Sequence, residues 1–109
     1  MVKYDYYTGF PANVLNHLAR DVTRIANRTT SIKIGITNEP ERRWLQHSQR
    51  YPWDQMIVIY GSTSLAFVRD IERELIDYTF DWDESLNFVG GGGGNFAAGY
   101  QYVYVLIER

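Results

Sequence analysis

The chain contains no cysteine. Disulfides, thiolate nucleophiles and cysteine-ligated zinc are thereby excluded, and a cytoplasmic location is the expectation. It has no apolar run long enough to cross a bilayer, so no membrane partner is expected. The opening stretch, Met1-Val2-Lys3-Tyr4-Asp5, is polar and aromatic, unlike a secretory leader. There is no internal repeat and no second hydrophobic unit, so the 109 residues read as one domain. Excess positive charge is also lacking. The net charge of −2 argues against a protein that coats nucleic acid through charge alone.

Hydrophobic residues, by contrast, make up 45% of the chain, enough to build a core. The charges are unevenly placed. Residues 1–50 carry eight basic and four acidic side chains, whereas residues 51–109 carry three basic and nine acidic. Such asymmetry can focus an anionic ligand onto one face despite the acidic total.

The stretch Ser31 to Arg50 organises the reading. Ile32, Ile34 and Ile36 alternate with Lys33, Gly35 and Thr37, which predicts a half-buried strand over 31–37. Asn38-Glu39-Pro40 breaks it, with Thr37 or Asn38 as a cap and Pro40 in the first turn of a helix over 40–50. Arg43 and His47, four apart, share a face of that helix, while Trp44 and Leu45 are expected in the core. A lysine, a bare glycine, an arginine and a histidine gathered in this way suit an anion such as phosphate. Taken alone, they are more simply read as a solvated basic helix beside a sheet edge.

Around it, Val14, Leu15, Leu18, Ala19, Val22, Ile25 and Ala26 recur at helical spacing and predict a helix over 11–28. Its polar side carries Arg20, Arg24 and Arg28 as a ridge, a solvated face or a contact for nucleic acid. Together with Lys33, Arg42, Arg43 and Arg50, the ridge is expected to form one positive face. The run Met56 to Tyr60 predicts a buried strand, Ser64 to Phe80 an amphipathic helix, and Tyr100 to Ile107 a strand covered on both sides. Tyr4, Tyr6 and Tyr7 sit in an edge strand or an ordered arm. Gly90 to Gly94 read as a flexible loop without a nucleotide-binding pattern.

Lys33-Ile34-Gly35-Ile36-Thr37, followed by Asn38-Glu39-Pro40-Glu41-Arg42-Arg43-Trp44-Leu45-Gln46-His47, resembles the second motif and following helix of the GIY-YIG nuclease superfamily. Ile71-Glu72-Arg73-Glu74-Leu75-Ile76 resembles the family's metal-binding glutamate segment, with Glu72 as the match. Asn87 aligns with an asparagine that follows it. The resemblance covers roughly residues 31–89 and is closest in character to short phage and viral members. Two departures stand out. Lys33 occupies the place of a tyrosine, and no GIY segment lies a hairpin's length before Ile32. Either the terminal strand carrying Tyr102 and Tyr104 supplies the missing tyrosine, a circularly permuted layout, or Tyr4-Asp5-Tyr6-Tyr7 is the first strand.

The resemblance implies an α/β fold with a small, mainly antiparallel three-stranded sheet and three flanking helices. It implies a DNA endonuclease, with RNA left open as a substrate, that uses Mg²⁺ or Mn²⁺ held by Glu72. Arg43 would meet the phosphoryl charge and Tyr102 or Tyr104, helped by Lys33 or the metal, would act as general base. His47 and Asn87 would assist, and Arg20, Arg24, Arg28, Arg42 and Arg50 would hold the backbone. The alternative is a binding or protein-interaction module on the same fold with a degenerate site. Taken alone, Glu72 fits a surface glutamate paired with Arg69 or Arg73.

Overall fold

Alternation in β2 (Ser31–Thr37) places Ile32, Ile34 and Ile36 on one side of the sheet and Lys33, Gly35 and Thr37 on the other. A computed structural model of the chain describes residues 1–86 and 99–109. Its elements run β1 (Val2–Tyr7), α1 (Pro11–Ala26), β2, α2 (Pro40–Ser48), β3 (Gln55–Ser62), α3 (Leu65–Thr79) and β4 (Gln101–Glu108). They form an α+β domain with a four-stranded sheet in the order β1-β3-β4-β2. β4 pairs antiparallel with both β2 and β3, while β1 pairs parallel with β3. The sheet is therefore mixed and four-stranded, not the three-stranded antiparallel sheet expected. The tyrosine-rich start is the added edge strand, joined to β3 and not to β2. The two central strands carry near-continuous apolar runs because both of their faces are covered.

Helices cover the two faces unequally. α1 buries Val14, Leu18, Val22 and Ala26, a stripe four residues apart, and α3 buries Val68, Ile71, Leu75 and Ile76. Both pack with Ile32, Ile34, Ile36, Val103, Val105 and Ile107 in one core. α2 lies on the opposite face, where Trp44 packs against Trp53, Met56, Val58, Tyr104 and Leu106. Leu45, expected inside, is 60% exposed, because α2 is short and contributes only one flank to this smaller core.

Local chemistry sets the helix starts. Ser64 Oγ accepts from the Phe67 amide at 3.2 Å and caps α3. Glu39 is the residue before α2, Pro40 fills its first position, and Thr37 Oγ1 accepts from the Glu39 amide at 3.0 Å to hold the turn. After α3 the chain returns along the outer edge of β2, where the Ile32 amide donates to Glu84 O and the Leu86 amide to Ile32 O. That contact shields part of an otherwise open edge. The glycine run 90–94 and Asn87 lie outside the described residues. Among those described, no helix is long and apolar enough to cross a membrane.

Candidate functional site

Antiparallel register sets Tyr104 of β4 directly opposite Gly35 of β2. On the α2 face, Gly35 has no side chain to fill the space, and the Tyr104 ring lies over it. A Cβ at Gly35 would stand 2.4 Å from the phenol oxygen. Tyr104 is 2% exposed. Its hydroxyl lies 2.9 Å from His47 Nε2 on α2. In the tautomer with a bare Nε2, the hydroxyl donates to the ring. The two rings meet edge to face at 5.8 Å.

Arg43, one helical turn before His47, brings its guanidinium beside the same hydroxyl. Its Nη1 donates to Gln46 Oε1 at 3.1 Å. Its Nε is buried with no hydrogen-bond partner among the described residues. A pocket of about 220 Å³ opens here, lined by Lys33, Arg43, Gln46, His47, Arg50, Tyr51 and Trp53. It contains three cations and no carboxylate, so it is suited to an anion.

Glu72 approaches from α3. It is 6% exposed, and its Oε2 has no hydrogen-bond partner among the described residues. The ion pair with Arg69 or Arg73 that the sequence alone allowed does not form: Arg73 donates to Asp70 at 2.8 Å. Glu72 does not line the pocket of Arg43 and His47, but its charge is felt at the Tyr104 hydroxyl. Among the described residues there is no group of three or more His, Asp or Glu side chains able to hold a metal. A single buried carboxylate with a free oxygen fits a hard cation that completes its shell with waters and phosphate oxygens.

The electrostatics follow from this crowding. Burial pushes the Glu72 carboxyl up to about 7, against the opposing pull of Arg69. Burial, followed by the charges of Arg43, Lys33 and Arg50, pushes His47 down to about 4. The imidazole is therefore neutral at pH 7. Burial also holds the Tyr104 phenol above its usual value; Arg43 opposes this and Glu72 adds to it.

The structure thus brings Lys33, Arg43, His47 and Tyr104 together, with Glu72 in electrostatic reach. Tyr102, the other candidate tyrosine, points instead into a cluster with Tyr4, Tyr6 and Tyr100. Arg42 is exposed and donates to Glu39 at 3.2 Å, while Arg50 is exposed at the pocket rim. The ridge of Arg20, Arg24 and Arg28 lines a separate cleft beside Tyr78, on the α1 and α3 side of the sheet. The single positive face expected from sequence is therefore split in two by the sheet, and Arg24 is paired with Asp21. Gln46, Tyr51 and Trp53 were not anticipated. Trp53 packs in the smaller core beside Trp44 of α2.

The chain matches no protein-family model, no curated protein sequence and no solved structure.

Proposed function

We propose that the protein is a metal-dependent endonuclease that hydrolyses phosphodiesters in DNA, a GIY-YIG-type domain in circularly permuted layout. The observation that carries this reading is the convergence of Arg43, His47 and Tyr104, with the buried Glu72, whose Oε2 is unpartnered among the described residues, in electrostatic reach of the Tyr104 hydroxyl. In that layout β4 stands in for the missing first strand, and Tyr104 opposite Gly35 stands in for its tyrosine.

The roles follow from the geometry. A phosphate seated at Lys33, Arg43 and Arg50 finds charge-assisted donors on the wall of the pocket. Arg43, with a buried Nε otherwise unused among the described residues, is placed to meet charge that develops on the phosphoryl oxygens. The Tyr104 hydroxyl passes its proton to His47, and the resulting phenolate in turn takes a proton from the attacking water. In the free protein this relay is held back, because burial, and after it the charges of Arg43, Lys33 and Arg50, depress His47. A bound phosphate offsets those charges and makes His47 a better base. Glu72 would hold Mg²⁺ or Mn²⁺, which when bound supplies Lewis-acid polarisation of the phosphate.

A second reading, a nucleic-acid-binding module with a degenerate site, is favoured by Lys33 in place of a tyrosine and by the lack, among the described residues, of any group of three or more His, Asp or Glu side chains able to hold a metal. Supercoiled-plasmid nicking with Mg²⁺, with Mn²⁺ and with EDTA separates the two. Metal-dependent nicking that Glu72→Gln abolishes supports the nuclease. Binding without nicking under every condition supports the module.

A further inference from the structure

Four tyrosines that this chemistry does not use stand side by side on the α2 face of the sheet. Tyr4 and Tyr6 belong to β1, Tyr102 belongs to β4, and Tyr100 immediately precedes it. Three of the rings converge on the fourth: the ring centroid of Tyr102 lies 6.5 Å from that of Tyr4, 5.6 Å from Tyr6 and 5.3 Å from Tyr100. β1 and β4 are not neighbours, because β3 runs between them. The rings meet across β3 because its residue there is Gly61. A Cβ at Gly61 would lie 2.6 Å from Tyr100, 3.1 Å from Tyr6 and 3.2 Å from Tyr102. The cluster is packed from below yet open above: Tyr4, Tyr6 and Tyr100 remain 48%, 40% and 37% exposed.

Its position ties it to the candidate site. Tyr102 and Tyr104 are two residues apart on one strand face, a separation of about 7 Å. That is about one step along an extended nucleic-acid strand. Tyr4 donates to Glu41 at 2.9 Å, which fixes the near end of the platform to the first turn of α2, the helix that carries Arg43. Exposed aromatic rings on a sheet, beside a cationic pocket for the backbone, are the combination that takes up unpaired bases by stacking. A base inside an uninterrupted duplex cannot present its face to such rings.

We propose that Tyr4, Tyr6, Tyr100 and Tyr102 form a stacking platform for an unpaired nucleobase next to the phosphate held at Arg43, so that the preferred substrate is a single-stranded segment and not continuous duplex. The inference rests on the phosphodiester reading for the position of the phosphate, but not on turnover.

The test is binding in EDTA by fluorescence anisotropy, with a short labelled single strand of DNA and the matching duplex at one salt concentration. A second single strand carries 2-aminopurine, whose emission is quenched on stacking. The wild type should favour the single strand by about tenfold and quench the probe. Tyr6→Leu and Tyr100→Leu should each weaken single-strand binding about fivefold or more while leaving duplex binding unchanged. Tyr6→Phe and Tyr100→Phe, which keep the ring, should bind as the wild type does. Equal affinity for both forms, an unquenched probe, or Leu variants that fold by circular dichroism and bind as tightly as wild type would each overturn the proposal. Because the quenching measurement uses the wild type alone, it stands even if a variant fails to fold. Quenching by a protein that never cuts would keep the platform and remove the nuclease; cutting without quenching would do the reverse.

Discussion

Gly35 and Tyr104 face each other across the β2–β4 ladder, and a methyl group on Gly35 would stand 2.4 Å from the Tyr104 phenol oxygen. The glycine is required by its neighbour's ring and not by its own backbone, which is in ordinary strand conformation with no positive φ. Gly35→Ala should therefore displace a buried ring that His47 holds by a hydrogen bond. A loss of about 1–3 kcal/mol in thermal or urea unfolding is expected, with loss of any nicking activity. Unchanged stability and activity would mean that the ring moves freely and that its placement is incidental.

The two candidate tyrosines are separated by removing one oxygen from each. Tyr104→Phe deletes the only hydroxyl bonded to His47 among the described residues and should abolish turnover while the fold persists. Tyr102→Phe keeps the ring that packs with Tyr4, Tyr6 and Tyr100 and should leave the turnover rate within about twofold. Single-turnover cleavage of labelled DNA reads both.

Glu72 provides a signed prediction in metal-free buffer. Its folded value, about 7, lies above its ordinary value of 4.5. The folded protein therefore binds the extra proton, and the contribution of Glu72 to stability is fully present below pH 4.5 and is lost as pH rises towards 7. Glu72→Gln mimics the protonated form. At pH 8 with EDTA the variant should be more stable than the wild type by about 1–3 kcal/mol, a gap that closes by pH 4.5. Added Mg²⁺ or Mn²⁺ should raise the Tm of the wild type at pH 8 and leave the variant unmoved. Nicking should fall by more than about a hundredfold.

His47 behaves with the opposite sign. Its folded value, about 4, lies below the ordinary 6.5, so its contribution to stability is present above pH 6.5 and is lost as pH falls towards 4. Between pH 4.5 and 6.5 it therefore offsets the trend from Glu72, and the wild-type curve should be flatter than that of either single variant. Inorganic phosphate or a short oligonucleotide should raise the His47 value by cancelling the charges of Arg43, Lys33 and Arg50. Proton NMR titration of the imidazole with and without phosphate checks this. An unmoved value would show that no anion binds in the pocket.

The two arginines at the start of α2 should differ. Arg43→Ala removes the guanidinium beside Tyr104 and should cost about a hundredfold or more in turnover. Arg42, exposed and paired with Glu39, should on substitution by alanine alter only binding and its salt dependence. Replacing Arg20, Arg24 and Arg28 together should leave turnover unchanged, because they lie across the sheet from the pocket.

The sequence by itself determined the elements. The isoleucine alternation at 32, 34 and 36 and the apolar stripes of α1 and α3 come from local periodicity, and the structure carries them within a few residues of the expected bounds. The placing of Arg43 and His47 on one side of α2 is equally local, since four residues make about one turn. Tertiary structure decided what periodicity cannot encode. Strand order and direction depend on partners distant in the chain, so β1 as a fourth, parallel strand was not legible in Tyr4, Tyr6 and Tyr7. Which of Tyr102 and Tyr104 reaches His47 depended on register, because both side chains occupy the same strand face and Tyr104 is the one set opposite Gly35. The separation of the α1 arginines from Arg43 depended on which face of the sheet each helix packs against. Burial of Glu72, and with it the change of a surface-type glutamate into a carboxyl that titrates near neutrality, arose only when α3 closed over the sheet and removed water from around it.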